Sequence, residues 1–221
     1  TQSGLMETLR FIRVQRSALH VMLGGSVSTL WSWGLLWWTP AFLARSHQLS
    51  VSEAGNLLGP MHLIAGTGGT LLAAWLMSLK AARDPKYVAI LMSAFVALST
   101  IPSFFVYTTH SLGVATACLW AFVPGVYFFI GPGFGLLQNV LPPAMRATGC
   151  AALLFLANIG NLVVAPQVVG WMSDAFRLHT EAGSDSLRWA LLVLAPTGFW
   201  GAWHFWLAGQ TIREDEARIA G

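Results

Sequence analysis

Histidine offers the widest chemistry of any residue type in this sequence, and its six copies, His20, His47, His62, His110, His179 and His204, stand far apart. None forms the His-Glu-x-x-His spacing that seats zinc and a general base on one helix face, so no metal ligands are expected. Nucleophilic catalysis is equally unsupported. Gly24-Gly25-Ser26 lacks the second glycine of a nucleophile turn. Cys118 and Cys150 sit in apolar stretches, where a thiol behaves as a small hydrophobe, and two cysteines make no disulfide framework. A phosphate-cradling glycine loop followed by lysine is missing, and so are the paired Asn-Pro-Ala half-helices of water channels. The sequence therefore offers no catalytic residue and no cofactor site; no enzyme is expected.

What remains is stacking and hydrogen bonding from polar and aromatic side chains inside apolar runs. Ser28 and Trp31 are three residues apart and share a helix face, as do Asn158 and Asn161; Trp120 and Tyr127 are seven apart, two turns along one face. His62 lies near Gly66, and imidazole changes charge within the working pH range. Carboxamides in hydrocarbon need partners, so Asn158 and Asn161 serve either helix association or a ligand. For every one of these residues ordinary helix packing is the competing reading.

The elements that position them follow from composition. Lys and Arg number twelve and Asp and Glu nine among 221 residues, so 10% are charged and 55% are apolar; soluble domains carry roughly 25% charge. At about 20 apolar residues per spanning helix the chain accommodates roughly six spans. Eleven Trp and thirteen Phe agree with a bilayer, whose interfaces collect aromatic rings. The basic residues are scattered singly and form no stripe, which argues against nucleic acid as a partner despite the net charge of +3.

Six apolar segments are legible, at about 17–44, 54–79, 87–107, 112–137, 147–171 and 187–208. Lipid leaves no backbone amide unpaired, and the roughly ten-residue alternation of a membrane barrel is absent, so the segments read as helices. Cytoplasmic loops retain Lys and Arg. Arg10, Arg13, Arg16, Lys80, Arg83, Lys86, Arg146, Arg213 and Arg218 fall on one side of such a threading, and Arg45, Arg177 and Arg188 on the other. Both termini are thereby expected in the cytoplasm, with residues 1–16 as a cytoplasmic linker, 17–208 as a six-helix transmembrane bundle and 209–221 as a cytoplasmic tail. The polar run 173–186 reads as an extracytoplasmic loop. Thr1 stands where an initiator Met would, and the opening residues are too polar for a signal peptide, so a piece of a longer polypeptide is expected.

Glycines mark close helix approach at Gly24-Gly25, Gly66-Thr67-Gly68-Gly69 and Gly131-Pro132-Gly133. Pro124-Gly125 together with Gly131-Pro132-Gly133 puts two proline sites in the fourth segment, which predicts a kinked or broken helix of the kind that gates a polar path.

Several motifs then combine. Trp38-Thr39-Pro40-Ala41-Phe42-Leu43 followed by His47-Gln48-Leu49-Ser50-Val51-Ser52-Glu53-Ala54-Gly55 resembles the end of the seventh helix and the next turn of major facilitator superfamily carriers. Pro142-Pro143-Ala144-Met145-Arg146-Ala147-Thr148-Gly149, with Asn158, Pro166 and Gly170-Trp171-Met172-Ser173-Asp174, is similar to the loop and eleventh helix of that superfamily. Gly68-Gly69, Trp75-Leu76 and Arg83-Asp84-Pro85-Lys86 resemble its turn between the eighth and ninth helices, in the manner of the spinster-like branch. The resemblance covers essentially the whole chain and implies an all-α membrane protein: six transmembrane helices forming the carboxy-terminal half of a major facilitator superfamily fold. One departure stands out. Ser78-Leu79 occupy the place of the family's Asp-Arg pair, which implies a weakened cytoplasmic latch built from Arg83, Asp84 and Lys86, or one completed by an acidic group from the amino-terminal half.

The same resemblance implies a secondary transporter working by rocker-switch alternating access about a midplane site. Its partners would be a small amphipathic substrate, the amino-terminal six-helix half and the lipid bilayer. Ser28, Trp31, His62, Trp120, Tyr127, Asn158 and Asn161 become candidate substrate-binding residues. The middles of the apolar segments hold no Asp or Glu, so a proton-coupling carboxylate is expected in the other half. Apolar, tryptophan-rich walls suit an amphipathic solute, and the spinster-like resemblance implies a lysolipid or organic anion. Short loops place the protein in a bacterial inner membrane. A membrane-embedded structural or assembly subunit is the alternative.

Overall fold

The computed structural model describes residues 4–179 and 185–220, without the side chains of His179 and Ala220. Residues 180–184 of the loop expected at 173–186, and the chain ends at 1–3 and 221, lie outside the described residues.

The described chain is helical, with no strand. A short helix α1 (Leu5–Val14) leads into α2 (Arg16–His47), which corresponds to the first apolar segment. The second segment forms α3 (Val51–Met61) and α4 (Thr67–Ser78), joined by a π-helical turn over His62–Gly66. The third is α5 (Pro85–Thr108). The fourth is divided into α6 (Leu112–Phe128) and α7 (Ile130–Asn139), and the fifth into α8 (Arg146–Asn158) and α9 (Ala165–His179) around a second π-helical turn, Ile159–Val164. The sixth is α10 (Ser186–Leu194) and α11 (Thr197–Ala220).

Each interruption has a local cause. Pro132 has no N–H to donate to the carbonyl of Phe128, and the helix parts at Phe129, before α7 resumes with Gly133 N–H on Phe129 O at 2.9 Å. The break expected in the fourth segment thus falls at the second of its two proline sites, and Pro124 is carried inside α6. Pro60 precedes the first π turn and Pro166 follows the second; in each case a missing donor one turn away leaves a carbonyl that the wider i→i+5 pattern can accommodate. The sequence reading did not anticipate the π turns.

Helix starts obey their caps. Ser50 Oγ accepts from Glu53 N–H at 3.2 Å and Glu53 Oε2 accepts from Ser50 N–H at 2.8 Å, a reciprocal capping box for α3. Asp84 caps α5 by accepting Lys86 N–H at 3.0 Å, with Pro85 at the first helical position.

Among the described residues, the stretches Val51–Ser78, Pro85–Thr108, Leu112–Asn139 and Pro143–Leu178 are long and apolar enough to cross a membrane. The first and sixth segments are helical but diluted by Ser, Gly, His and Trp. α2 runs along α11, α5 lies between α11 and α6, and α8 and α9 close the other side of α2. Trp31 is fully buried at the centre, its ring 5.1 Å edge-on to Phe122 and its Nε1 donating to Ser103 Oγ at 3.2 Å.

Glycine sets the helix spacing. A Cβ at Gly24 would stand 2.9 Å from the Phe205 ring and one at Gly66 2.8 Å from the Tyr127 ring, while one at Gly69 would fall on the Pro124 backbone. Gly68 and Gly131, grouped with these by sequence, face open space. Gly198 and Gly201 on α11, which the sequence did not single out, sit directly against Trp31 and Ser28.

The first and last described helices are packed parts of the bundle. Thr8 and Ile12 of α1 are buried, and α11 runs without interruption to Ala220 with Ile212 and Asp215 buried. Asp215 Oδ2 accepts Ser17 N–H at 2.9 Å and so satisfies a free donor at the start of α2.

Candidate functional site: two clefts about a broken helix

Gly25, Thr29, Trp33 and Trp37 recur every four residues on α2 and form one wall of a cleft of about 330 Å³. Phe129, Ile130, Gly133 and Phe134 at the start of α7 make the second wall. The third comes from Leu153, Ala157 and Asn158 of α8 and from Asn161 in the π turn. Trp37 is 53% exposed and offers an open indole face at the rim. The lining is apolar except for Thr29, the indole N–H groups and the two carboxamides. Thr29 Oγ1 donates to Gly25 O at 2.7 Å. Asn161 Nδ2 donates to Ala157 O at 3.2 Å and to Asn158 Oδ1 at 3.4 Å, which leaves the amide nitrogen of Asn158 for another acceptor.

A second cleft, of about 410 Å³, lies on the other side of α7, between α4 and the start of α5. Thr70, Ala73 and Met77 face Pro132 and Leu136 across it, and Arg83 is its single charged residue. Tyr127 joins the two clefts. It lines the second, and its ring stands 5.6 Å edge-on to Trp33 of the first. Its hydroxyl lies 3.0 Å from His62 Nδ1.

The structure therefore brings together Asn158 and Asn161 in the first cleft, and Tyr127 and His62 beside the second. It places Ser28 and Trp31 elsewhere. Both are fully buried against α11, and Ser28 Oγ touches the position a Cβ on Gly201 would take. Trp120 is 39% exposed and lies outside both clefts. Trp33, a candidate wall residue of the first segment alongside Ser28 and Trp31, does line the cleft, whereas Trp37 was missed. The four-residue recurrence from Gly25 to Trp37 was the signal available.

At the Lys80–Asp84 end of the bundle, the Asp84 carboxylate pairs with Arg213 of α11 through both its oxygens. The Arg213 hydrogen bond holds the Asp84 carboxyl below its ordinary range, with Lys86 N–H adding to the effect. Of the predicted latch, Asp84 is thus engaged within the chain, while Arg83 and Lys86 make no ion pair among the described residues. At the opposite end Arg188 is buried. Its Nη1 donates to Tyr107 O at 3.1 Å and Thr109 O at 2.8 Å, its Nε donates to Asp185 at 3.1 Å, and its guanidinium covers the Phe42 ring. His47 stands edge-on to the same ring. Burial, then Arg188 and His110, push the imidazole below its usual value, against a smaller opposing pull from Asp185.

The chain has relatives of known class. It is 31% identical over 203 residues to an MFS-type efflux pump of Mycolicibacterium smegmatis, covering 90% of this chain and 46% of that protein. It is 23% identical over 235 residues to protein spinster homolog 3 of Danio rerio, covering 95% of this chain and 45% of the relative. Two crystal structures of a bacterial homolog of the human lysosomal transporter spinster share the fold at 21% identity. The inward-facing unoccupied form gives a TM-score of 0.78 over 96% of this chain, and the inward-facing occupied form 0.80 over 92%; each match takes in 51% of that chain. No protein-family model matches. The chain spans about half the length of the relatives it matches. Those relatives are transporters, a non-enzymatic class. The chain is related to major facilitator superfamily transporters, the spinster-like proteins among them, and its fold is that of one half of such a transporter.

Proposed function

We propose that this chain is the carboxy-terminal half of a secondary transporter that moves an amphipathic organic solute, a lysolipid or organic anion, by rocker-switch alternating access. The observation that carries this reading is the first cleft: an apolar trough walled by Trp33 and Trp37, with two carboxamides in its lining and the start of the second half of a broken helix along one side. Indole faces and aliphatic walls accept a hydrocarbon chain, and Asn158 can hydrogen-bond a polar head. A sugar would require more donors and acceptors than the trough provides. In this reading all six segments span the membrane, a bacterial inner membrane, with both termini cytoplasmic. An amino-terminal six-helix bundle covers the cleft, and its carboxylates supply proton coupling. Residues 1–16 and 209–221 face the cytoplasm. Arg83 and Lys86 latch against acidic groups of that bundle while Arg213 holds Asp84.

Reconstitution of the intact protein in lipid vesicles tests the reading, with a fluorescent lysophosphatidylethanolamine as probe. Saturable, protonophore-sensitive flux is expected, reduced at least tenfold by Asn158→Ala. Flux equal to that of protein-free vesicles would refute it.

A further inference from the structure

His62 and Tyr127 occupy a special place in the bundle. His62 opens the π turn that interrupts the second segment, and Tyr127 stands two residues before the break that divides the fourth. Their hydrogen bond, 3.0 Å between Nδ1 and the hydroxyl, therefore ties together two irregular points of different helices. The Tyr127 ring also covers Gly66 at the end of the same π turn and touches Trp33 across the cleft. π turns and proline breaks are where helices bend with least resistance.

We infer that His62 is a proton-binding site within this half, and that its protonation resets the hydrogen bond to Tyr127 and thereby the hinge between α6 and α7. The inference rests on the transporter reading and adds to it, since that reading assigns coupling to carboxylates of the other half. In the neutral tautomer that carries its proton on Nε2, Nδ1 accepts the Tyr127 hydroxyl hydrogen. Adding a proton, taken from water in the clefts, turns Nδ1 into a donor. The Tyr127 hydroxyl must then send its own proton to a new acceptor, and the ring that wedges between Gly66 and Trp33 reorients.

No other charge competes for this role. The π turn packs mainly against α3, α4 and α6. α4 has no titratable side chain, and α6 has Cys118 and Tyr127 alone. α3 has only Glu53, whose carboxylate is held at the start of the helix by Ser50. A half-buried imidazole beside two irregular helix points is thus a group whose protonation changes the hydrogen bonding where the helices bend.

Two measurements on the intact protein decide the matter. In histidine-selective ¹⁵N NMR, the resonance lost in H62Q should titrate on acidification, and its midpoint should move in Y127F. In vesicles carrying the fluorescent lysophosphatidylethanolamine, proton-driven flux should vary with pH about a midpoint that matches the His62 titration in the wild-type protein and shifts with it in Y127F. A resonance that stays unchanged from pH 4 to 9 would overturn the inference, as would a flux midpoint that Y127F leaves in place. If the wild-type protein moves no probe, the transporter reading fails, and the NMR titration alone then decides whether His62 binds a proton coupled to Tyr127.

Discussion

Trp31 and Trp33 are two residues apart, and on a helix that turns them about 200° away from each other. The sequence reading placed Trp31 on the cavity wall because it shares a face with Ser28, and that shared face proves to be the one packed on α11. Nothing in a single helix says which of its faces meets its neighbours when both carry tryptophan and serine. The amides were easier to place, since Asn158 and Asn161 are the only asparagines inside the fifth segment, three residues apart, and both reach the cleft. The difference between the two tryptophans is measurable. Trp31→Ala removes a buried ring and should cost about 3–5 kcal/mol of stability, read as a fall in the thermal transition of the purified protein. Trp33→Ala should leave that transition nearly unchanged while weakening probe binding about tenfold. His47 gives a pH prediction. Its imidazole is held below the usual value, so the neutral form is favoured by the fold; the contribution is present above about pH 6.5 and is lost as pH falls through the lower folded value. Thermal stability should therefore drop on mild acidification, and the drop should be smaller in His47→Gln.

At the scale of helices, the apolar segments and the proline-rich fourth helix were legible because hydropathy and missing backbone donors are local properties. The π turns were not, since Pro60 and Pro166 signal only a weakened ladder, and the form the repair takes depends on the helices alongside. Glycine contacts show the same limit. Gly68 and Gly69 are adjacent in a small-residue run, yet one faces open space and the other the Pro124 backbone. Gly69→Ala should cost about 1–3 kcal/mol through overpacking and disturb the α4–α6 contact. Gly68→Ala should be neutral or slightly stabilising, because alanine is the better helix former by up to about 1 kcal/mol. Melting curves of the two variants side by side check this, and equal effects would mean that α4 is rotated relative to the structure described above.

For the whole molecule, composition pointed to a membrane bundle and the family resemblance to a face awaiting cover; the relatives are transporters, each about twice the length of the match. The described parts of the linker and tail are helical and packed: Ile12 and Asp215 are buried, and Arg213 reaches Asp84. Their polar sequences hid this, because one apolar or capping residue per turn suffices to dock a short helix. The most direct test of the central claim is the accessibility of position 33. Trp33→Cys would be placed in the intact protein with Cys118 and Cys150 replaced by alanine, and labelled by a membrane-impermeant maleimide from each side of sealed vesicles. Alternating access predicts labelling from both sides, with the lysolipid probe slowing both reactions. A position 33 that reacts from one side only under every condition, or that the probe never protects, would contradict the account.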